Sequence, residues 1–579
     1  MKKILLSGIL LLILFPVIAS AATYYVSSSG SDANSGTQVL PWKTIAKVNS
    51  VSFSPGDFIL FKRSETWRET LNVPSSGSAV SPITFGAYGT GDLPNIYGSA
   101  QVSTWANEIG NLWYATSSAD ASSIWLVGAD GTIHWGEKQT AKANLMAEYN
   151  WWWDSANARI YVYAATDPDS RYTSIEKPTR TFCVENNNKD YITIKDLEIA
   201  YCSDIGVRVM AGKGWTVDGC TIHHIGVKNG ALDEGVFFRG ASSGIVQNCI
   251  IHDCGNHGTA LYSDVGLSLS NIIVQHNTFY DNYHSDIDCQ CNMGIWNGAI
   301  IRYNLLYNTA DYDKAYTNGA IYVLADHPAP NDINGVEVYY NVIHHKNAGG
   351  IIIRGAVDSP KIYNNIIYGA LAGSTTYAAG IHVFSNNPGT ADPTSVVIKN
   401  NVVMDPYSEC LRVTNKNYIS ACDNNCWYRS AGGAAVYVTG VSTSYHYNDF
   451  AAYKAATGWD TNGLWEDPKF ANAANNDFSL APGSPLINTG ATVGLTQDYE
   501  GNTIPQGAAP DIGAFEYVSS TPPPQPVSGD LTGDGKVDVD DLIVVARNFG
   551  KTVYEQIADT NRDGVVDIFD IVYVASRFT

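Results

Sequence analysis

The 579-residue sequence predicts a mainly β fold, a solenoid of short stacked strands, followed by a small α-helical unit at the C-terminal end. Two observations predict this architecture. A strand-like phrase recurs through the middle of the chain, and two acidic loops, each followed by an apolar helical pattern, recur near its end. Repeats whose spacing varies from copy to copy are typical of coils that stack on one another.

The recurring phrase has an apolar residue, two variable residues, a fixed position and a second apolar stretch. Its eight copies begin at Ile194, Val217, Val246, Val274, Ile301, Val338, Ile362 and Ile398. The fixed position holds Leu197, Cys220, Cys249, Asn277, Asn304, Asn341, Asn365 and Asn401. Apolar alternation on each side predicts strands. Asparagine tolerates left-handed backbone geometry at bends, and stacked amides hydrogen-bond to each other, so the sequence predicts an asparagine ladder.

A second strand phrase lies between most successive copies of the first. It begins at Gly206, Gly235, Asp286, Ala320, Gly350, Gly380 and Cys410. With two or more parallel strands per coil, the pattern resembles the right-handed parallel β-helix of the pectate-lyase type. The stretches 23–37, 41–45, 478–490 and 511–517 also resemble the opening and closing segments of secreted proteins of this type. The resemblance implies a β-helix domain over residues 23–517, with regular coils over 190–430.

Residues 98–180 depart from the coil phrase. They contain three consecutive tryptophans, Trp151 to Trp153, followed by the alternating segment 160–163. The pattern predicts an inserted β-rich element, or a cap that covers the open N-terminal edge of the solenoid.

The N-terminus has the pattern of a secretory signal peptide, assigned to residues 1–22. Lys2 and Lys3 precede an apolar run, which ends in small residues at 19–22. A membrane anchor is the alternative, but the run is shorter than the roughly 20 residues needed to span a bilayer. We expect a secreted protein, extracellular or attached to the cell surface, without membrane insertion.

The composition narrows the classes of partner. The formal net charge of −21 disfavours nucleic acid and anionic lipid, so no nucleic-acid partner is expected. The ten cysteines are even in number, which allows disulfides in an exported chain but does not require them, since buried thiols are equally compatible with a stacked core.

The two acidic loops follow a Pro-rich linker at 518–529. A calcium loop supplies oxygens from positions 1, 3, 5, 7, 9 and 12 and has glycine at position 6. In the first loop these ligands are Asp530, Thr532, Asp534, the carbonyl of Lys536, Asp538 and Asp541. In the second they are Asp559, Asn561, Asp563, the carbonyl of Val565, Asp567 and Asp570. The sequence therefore predicts two bound calcium ions.

Aspartate at position 12 and the duplicated loop-plus-helix layout of residues 530–579 resemble a dockerin module. The resemblance implies calcium-dependent folding and docking onto a cohesin-bearing scaffold. The pairs Val539–Asp540 and Ile568–Phe569 stand where many dockerins carry hydroxyl residues. An intramolecular or surface-docking role is therefore the alternative.

Catalytic candidates lie on adjacent predicted coils. Glycoside hydrolysis needs two carboxyl groups, one that donates a proton and one that acts as base or nucleophile. The candidates are Asp233, Glu234, His257, Asp286 and Asp288. A lyase would instead need a cationic base beside a uronate carboxylate, for which Lys314 and Arg354 are the candidates.

Strand alternation also predicts outward-facing side chains that suit sugars, whose faces are apolar and whose edges are hydroxyls. The predicted substrate-binding residues are Arg208, Phe237, Arg239, Tyr322, Arg354 and His382. The leading hypothesis is a secreted polysaccharide-degrading enzyme that binds the polysaccharide in a groove of the solenoid. A hydrolase is favoured, and a lyase is the second alternative. A non-catalytic glycan-binding or surface scaffold protein is the third alternative.

Overall fold

The computed structural model describes residues 21–309, 319–325, 333–346, 349–370, 378–385, 391–433, 435–439, 444–447, 449–518, 529–551, 556–560 and 565–578. The chain divides into two compact units, Met1–Glu516 and Tyr517–Thr579. None of the helices in these ranges is both long and apolar enough to cross a membrane. The predicted signal peptide, apart from its last two residues, lies outside the described residues, as does most of the predicted linker.

Three long sheets of parallel strands build the first unit, and each regular coil passes through them in the order I, II, III. The strands of sheet I are Thr23–Val26, Phe58–Lys62, Ile83–Tyr88, Ile192–Lys195, Thr216–Asp218, Ile245–Gln247, Ser268–Gln275, Ile295–Arg302, Ile333–Tyr339, Val357–Asp358, Lys361–Tyr363, Val396–Lys399 and Ile419–Asp423. Those of sheet II are Thr66–Trp67, Asn95–Tyr97, Glu198–Ala200, Thr221–Ile225, Ile250–Cys254, Thr278–Tyr280, Leu305–Tyr307, Val342–Lys346, Ile366–Ala370, Val402–Met404 and Cys426–Tyr428. Those of sheet III are Leu71–Asn72, Phe182–Glu185, Ile205–Met210, Val236–Arg239, His257–Asp264, Ser285–Asn292, Gly319–Ala325, Gly349–Gly355, Ile381–Phe384, Leu411–Val413, Val436–Thr439 and the antiparallel Ser444–Tyr447. The predicted stack of parallel strands is confirmed.

One continuous apolar core runs along the axis of the coils. Alternate residues of each strand point inward, and neighbouring coils place them in register, as Ile321, Ile351 and Ile381 show in sheet III. Stacking of like side chains removes apolar surface from water at every step, which is the main favourable contribution to folding. All ten cysteines are buried and unbridged, so their thiols contribute to the interior as small apolar groups.

The asparagine ladder lies at the bend between sheets I and II. The Nδ2 of Asn304 donates to the Oδ1 of Asn341, and Asn341 donates to Asn365, each over 3.0 Å. The ladder is longer than the sequence phrase indicates, because it continues through Asn425 to the Oδ1 of Asp460. The left-handed residue is the one before each ladder position, such as Tyr340 with φ 51°, so the backbone rationale for asparagine at the ladder position itself is wrong. The buried amide is needed for its hydrogen bonds.

Asn341→Ala is expected to lower the free energy of unfolding by about 2 to 4 kcal/mol, since each buried polar group left without a partner costs about 1–3 kcal/mol. The Oδ1 of Asn341 accepts from both the backbone N–H and the side chain of Asn304, and the variant leaves both donors without it. Denaturant unfolding of both proteins gives the difference. The exposed Asn475 provides the control, since Asn475→Ala should change stability by less than about 0.5 kcal/mol. Equal effects of the two substitutions would contradict a structural role for the ladder.

The insert follows the sheet II strand Asn95–Tyr97 and precedes the sheet III strand Phe182–Glu185. It forms two small sheets, one of Ser99–Gln101, Trp125–Gly128, Ile133–Trp135 and Tyr172–Pro178, the other of Ala106–Ile109, Leu112–Thr116, Glu137–Lys138, Asn150–Asp154 and Arg159–Tyr163. Two short helical turns, Lys142–Asn144 and Pro168–Arg171, complete it. Trp151 lies in the insert's own apolar core.

The described contacts of the insert favour an inserted element over a cap at the N-terminal edge. The insert packs sideways on sheet II, where Trp125 contacts Tyr201 and Trp135 stacks against His224. Short helices near the two ends of the coils supply apolar side chains to the common core instead. They are Ile45–Asn49, which contributes Ile45, and Phe450–Thr457, which contributes Tyr453. A turn at Lys416–Tyr418, a turn at Ala473–Asn475 and the hairpin Phe470–Asn472 with Asp477–Leu480 complete this unit.

The second unit contains the helices Val539–Asn548 and Ile568–Ala575 and the short turn Gln556–Ala558. Its apolar core consists of Val537, Val545, Ala558, Val566 and Val574. Both helices begin with a capping box, in which the N-cap aspartate and the aspartate three residues later accept each other's backbone N–H groups. The two loops predicted to bind calcium lead directly into these helices.

Candidate functional site

The outer face of sheet III carries two columns of side chains in register. The first is Arg208, Phe237, Ala260, Asp288, Tyr322, Ile352, His382, Arg412 and Tyr437, and the second is Met210, Arg239, Tyr262, Gln290, Leu324, Arg354 and Phe384. The structure therefore places all six predicted substrate-binding residues on one face.

The aromatic rings of this face are covered. Phe237 is 3% exposed and packs edge-on against Tyr262, and Tyr322 is 2% exposed in a cluster with Ile352 and Phe384. His382 is also buried and stacks on Phe384 with ring centroids 4.2 Å apart. The expectation that these rings offer open platforms for sugars is therefore wrong, because neighbouring coils stack their outward rings on one another.

Glu234, His257 and Asp288, on three successive coils, form what we call the carboxyl cluster. The Nε2 of His257 lies 3.3 Å from the Oδ2 of Asp288, and the hydroxyl of Tyr262 donates to the same oxygen over 2.8 Å. The Nδ2 of Asn256 donates to the Oε1 of Glu234 over 3.1 Å. The second oxygen of each carboxyl group and the Nδ1 of His257 are buried and have no hydrogen-bond partner among the residues that the structure describes. Buried polar atoms of this kind need a partner, such as an ordered water, an ion or a ligand.

Burial determines the protonation of the carboxyl cluster. It raises the pKa of Asp288 to about 7, against the hydrogen bond from Tyr262 that favours the charged form. It also raises the pKa of Glu234 well above its ordinary value, and the charges of Asp233 and Asp288 act in the same direction. Burial lowers the pKa of His257 to about 3, so this imidazole is neutral near pH 7. The cluster can therefore hold a proton at neutral pH, as a general acid must.

Two predicted catalytic residues, Asp233 and Asp286, have hydrogen-bond or charged partners outside the carboxyl cluster. The Oδ2 of Asp233 accepts the backbone N–H of Val227 over 3.1 Å, which holds this carboxyl group in the preceding loop. Asp286 lies 2.7 Å from the Nζ of Lys346 and accepts from Asn282 over 3.0 Å. A charged partner at this distance accounts for Asp286 without a catalytic role.

Burial raises the pKa of Asp233 to about 7 against the opposing hydrogen bond from Val227, and the unfolded value is 3.8. Between pH values of about 4 and about 7, the carboxyl group of Asp233 is protonated in the folded protein but ionised in the unfolded chain. Its contribution to the free energy of unfolding therefore falls as the pH rises through this window. Relative to Asp233→Asn, the wild-type free energy of unfolding should fall by up to about 1.4 kcal/mol per pH unit across this window. Denaturant unfolding of both proteins across this window checks the slope, and a constant difference would contradict it.

The cationic side chains on sheet III are paired. Arg208 lies 2.7 Å from Glu185, Arg239 pairs with Asp264, and Arg412 lies 3.5 Å from Glu409. Arg354 donates to the hydroxyl of Tyr322 over 2.9 Å. Lys314, the other lyase candidate, lies outside the described residues. Among the described residues, this face therefore offers little uncompensated positive charge to a uronate.

A cleft of about 480 Å³ lies between the insert and the coils. Its lining includes Asp120, Lys177, Arg180 and Asp204, and the charge of Asp204 raises the pKa of Asp233 further. The cleft therefore adjoins the loop that leads to Glu234. Sequence reasoning missed this feature and also Tyr262 and Lys346. Of these, only Tyr262 could have been found by strand alternation, since it lies next to Arg239 on the neighbouring coil.

The first acidic loop has the donor set and backbone geometry that calcium requires. The carboxylates of Asp530 and Asp541 are buried, and Gly535 at position 6 has φ 88°. Burial alone would raise the pKa of Asp541, but N–H groups of Asp538, Thr532 and Leu531 outweigh it and hold the pKa below the ordinary value. An ionised carboxylate inside a loop of oxygen donors fits a hard divalent cation.

The second loop repeats part of this arrangement. The Oδ1 of Asp570 accepts the backbone N–H and the hydroxyl of Thr560, and Asp567 caps the following helix. The predicted ligands Asn561 and Asp563 lie outside the described residues. The described part thus has the same capping carboxylates as the first loop.

The three stacked parallel sheets define a parallel β-helix protein. The family model described as "Right handed beta helix region" matches residues 158–327. The chain is 24% identical over 492 residues to the uncharacterized protein YwoF of Bacillus subtilis (strain 168), and the alignment covers 80% of this chain and 91% of YwoF.

Two solved structures are similar in fold. The one described as the complex structure of XylC with xylose has a TM-score of 0.52 and 15% identity, and the match covers 86% of this chain and 98% of XylC. The crystal structure of pectate lyase Pel9A has a TM-score of 0.47 and 15% identity, and the match covers 87% of this chain and 98% of Pel9A. At 15% identity the likeness to XylC shows the fold alone, and nothing is concluded from the likeness to Pel9A.

Proposed function

We propose that the protein is a secreted glycoside hydrolase that degrades a neutral polysaccharide, with its catalytic groups in the carboxyl cluster. The observation that carries the proposal is the contact of Asp288 with the neutral His257 over 3.3 Å, together with Glu234, whose pKa the charge of Asp288 raises. Each of the two carboxyl groups has a buried oxygen without a hydrogen-bond partner among the described residues. Hydrolysis of a glycosidic bond requires one acid and one base or nucleophile. Two buried carboxyl groups that repel each other do not ionise together, so one keeps its proton.

The hydrogen bonds support one assignment of the two roles. Tyr262 donates to Asp288 and stabilises its negative charge, which suits the base or nucleophile. Glu234 accepts a hydrogen bond from the neutral amide of Asn256, and the charges of Asp233 and Asp288 repel its negative form. Both features favour the protonated carboxyl group that a general acid needs. Glu234 would protonate the leaving oxygen while Asp288 activates water or attacks the sugar.

The paired cations favour a neutral substrate over a uronate polymer. A lyase has to neutralise a uronate carboxylate, and three of the four arginines on the outer face of sheet III, Arg208, Arg239 and Arg412, are already paired with carboxylates. The fourth, Arg354, donates to the hydroxyl of Tyr322. XylC, which shares the fold, was solved with xylose. A xylose-containing polysaccharide is therefore the first substrate to test with this protein.

The test is an assay of the calcium-loaded protein on neutral and acidic polysaccharides, which follows both reducing ends and the ultraviolet absorbance of unsaturated uronates. Release of reducing ends from a neutral polysaccharide without absorbance supports the hydrolase. Absorbance with an acidic polysaccharide would establish a lyase. Binding of a polysaccharide without either product would favour the non-catalytic alternative.

We propose further that residues 530–579 are a dockerin that holds two calcium ions and attaches the enzyme to a cohesin-bearing scaffold. The support is the pair of acidic loops that lead into capped helices around a common apolar core. When bound, calcium supplies the positive charge that gathers the carboxylates of each loop. Asp530, Thr532, Asp534, Asp538 and Asp541 would hold the first ion.

A further inference from the structure

A cluster of two histidines and one aspartate lies on the outer face of sheet II, away from the residues assigned to hydrolysis and to calcium. One ligand atom each of His224, His252 and Asp253 lies within 4.8 Å of the others. The register of the sheet brings them together, because the strand Thr221–Ile225 pairs with Ile250–Cys254. His224 and Asp253 occupy equivalent positions on adjacent coils, and both are left-handed, with φ 51°.

The backbone at these two positions is unusual for residues with side chains. Left-handed geometry costs roughly 1 to 2 kcal/mol for such residues. It turns each strand at its end and places the imidazole of His224 beside the carboxylate of Asp253 on the next coil, whose charge acts on His224. His252 is the residue immediately before Asp253, and its Nδ1 lies 2.8 Å from the Oδ2 of Asp253.

Stacked rings hold the two imidazoles in place. His252 lies between His223 and Tyr280, with ring centroids 5.0 and 4.4 Å away and nearly parallel planes. His224 stacks under Trp135 of the insert at 5.8 Å. A ligand set whose orientation is fixed before binding loses less entropy when a metal ion arrives.

We propose that His224, His252 and Asp253 form a binding site for a zinc-like divalent transition-metal ion. Two imidazoles and one carboxylate suit zinc and its neighbours in the first transition row, whereas calcium and magnesium prefer oxygen ligands alone. The side chains of His252 and Asp253 are 14% and 30% exposed, so solvent reaches the cluster and water can complete the coordination. The ligand atoms must draw closer than in the metal-free arrangement, since zinc–ligand bonds measure about 2.0–2.2 Å.

The same fold contains an internal comparison. His344 and His345 repeat the pattern of His223 and His224, and in both pairs the two Nδ1 atoms lie 2.9 Å apart. The next coil there places Gly369 where Asp253 stands in the proposed site. The second pair therefore has imidazoles without the carboxylate, and it should not bind the ion with comparable affinity.

The test is calorimetric titration of zinc into the tag-free mature chain, after removal of bound metals and in saturating calcium to occupy the acidic loops. We expect one zinc ion per chain at this site and at least about tenfold weaker binding in both Asp253→Asn and His252→Gln. The matched control is His345→Gln, which should leave the affinity unchanged. Circular dichroism and the Tm of each variant establish that it is folded.

Cobalt provides a second readout that does not depend on heat signals. Visible absorption of the cobalt-loaded wild type should report nitrogen and oxygen ligands in a four- or five-coordinate site, and His252→Gln should lose this spectrum. The proposal is overturned if the wild type binds no stoichiometric zinc, or if His345→Gln weakens binding as much as Asp253→Asn does. Neither measurement depends on polysaccharide cleavage.

Discussion

Glu234→Gln is expected to lower the rate of polysaccharide cleavage by about 10² to 10⁴-fold, the contribution typical of a positioned general acid. The substitution keeps the shape of the side chain and its contact with Asn256 but removes the proton that the leaving oxygen needs. Glu234 is buried and its pKa is raised, so its side chain is uncharged in the folded protein. The neutral glutamine therefore leaves no neighbouring charge without a partner, and the β-helix should stay folded. Initial rates on the substrate found in the polysaccharide assay measure the effect.

The matched control is Glu337→Gln, the same chemical change on the outer face of sheet I. Glu337 pairs with Lys361 over 2.7 Å at a half-buried position, where a surface ion pair contributes about 0 to 1 kcal/mol. This variant should retain wild-type rates. A Glu234→Gln protein that is folded and fully active would exclude Glu234 as the acid.

Removal of calcium is expected to unfold the helices Val539–Asn548 and Ile568–Ala575 while the β-helix unit stays folded. Among the described residues, the core of the second unit has five buried apolar side chains, so we expect the free energy of metal binding to be the main source of its stability. Without the ions, the carboxylates of each loop also repel one another. Hydrogen exchange of the helix amides, with calcium and with a chelator, measures the change.

Single substitutions locate the effect in the first loop. Asp541→Asn should weaken calcium binding there by about tenfold or more, because it removes a negative charge from the position-12 ligand. Asp540→Asn, next to it and exposed, is the control and should bind calcium as the wild type does. Helices equally protected in chelator and in calcium would contradict calcium-dependent folding.

The regular part of the fold could be predicted because it depends on local patterns. Apolar alternation identified the strands of all three sheets, and the recurring asparagines identified the ladder from Asn277 to Asn401. The extension to Asp460 could not be predicted, because the last acceptor lies beyond the repeat and is an aspartate. The sideways position of the insert depends on contacts between Trp135 and His224, which no local pattern encodes.

The candidate site could be predicted in part. Strand alternation placed Asp288 outward and in line with Phe237, and adjacency in sequence placed Glu234 one coil from His257. The pairing of Asp286 with Lys346 joins the beginning of a sheet III strand to the end of a sheet II strand, which no local pattern encodes. The covering of Phe237 and Tyr322 is likewise a property of the stack, because only the three-dimensional register shows which rings meet.

The measurement that tests the central claim most directly is mass spectrometry of the products formed in water labelled with oxygen-18. The account predicts that each cleavage of a neutral polysaccharide incorporates one labelled oxygen, which Asp288-assisted attack and subsequent release place at the new reducing end, and that Glu234→Gln abolishes this product. Unsaturated products without the label would contradict hydrolysis and establish elimination.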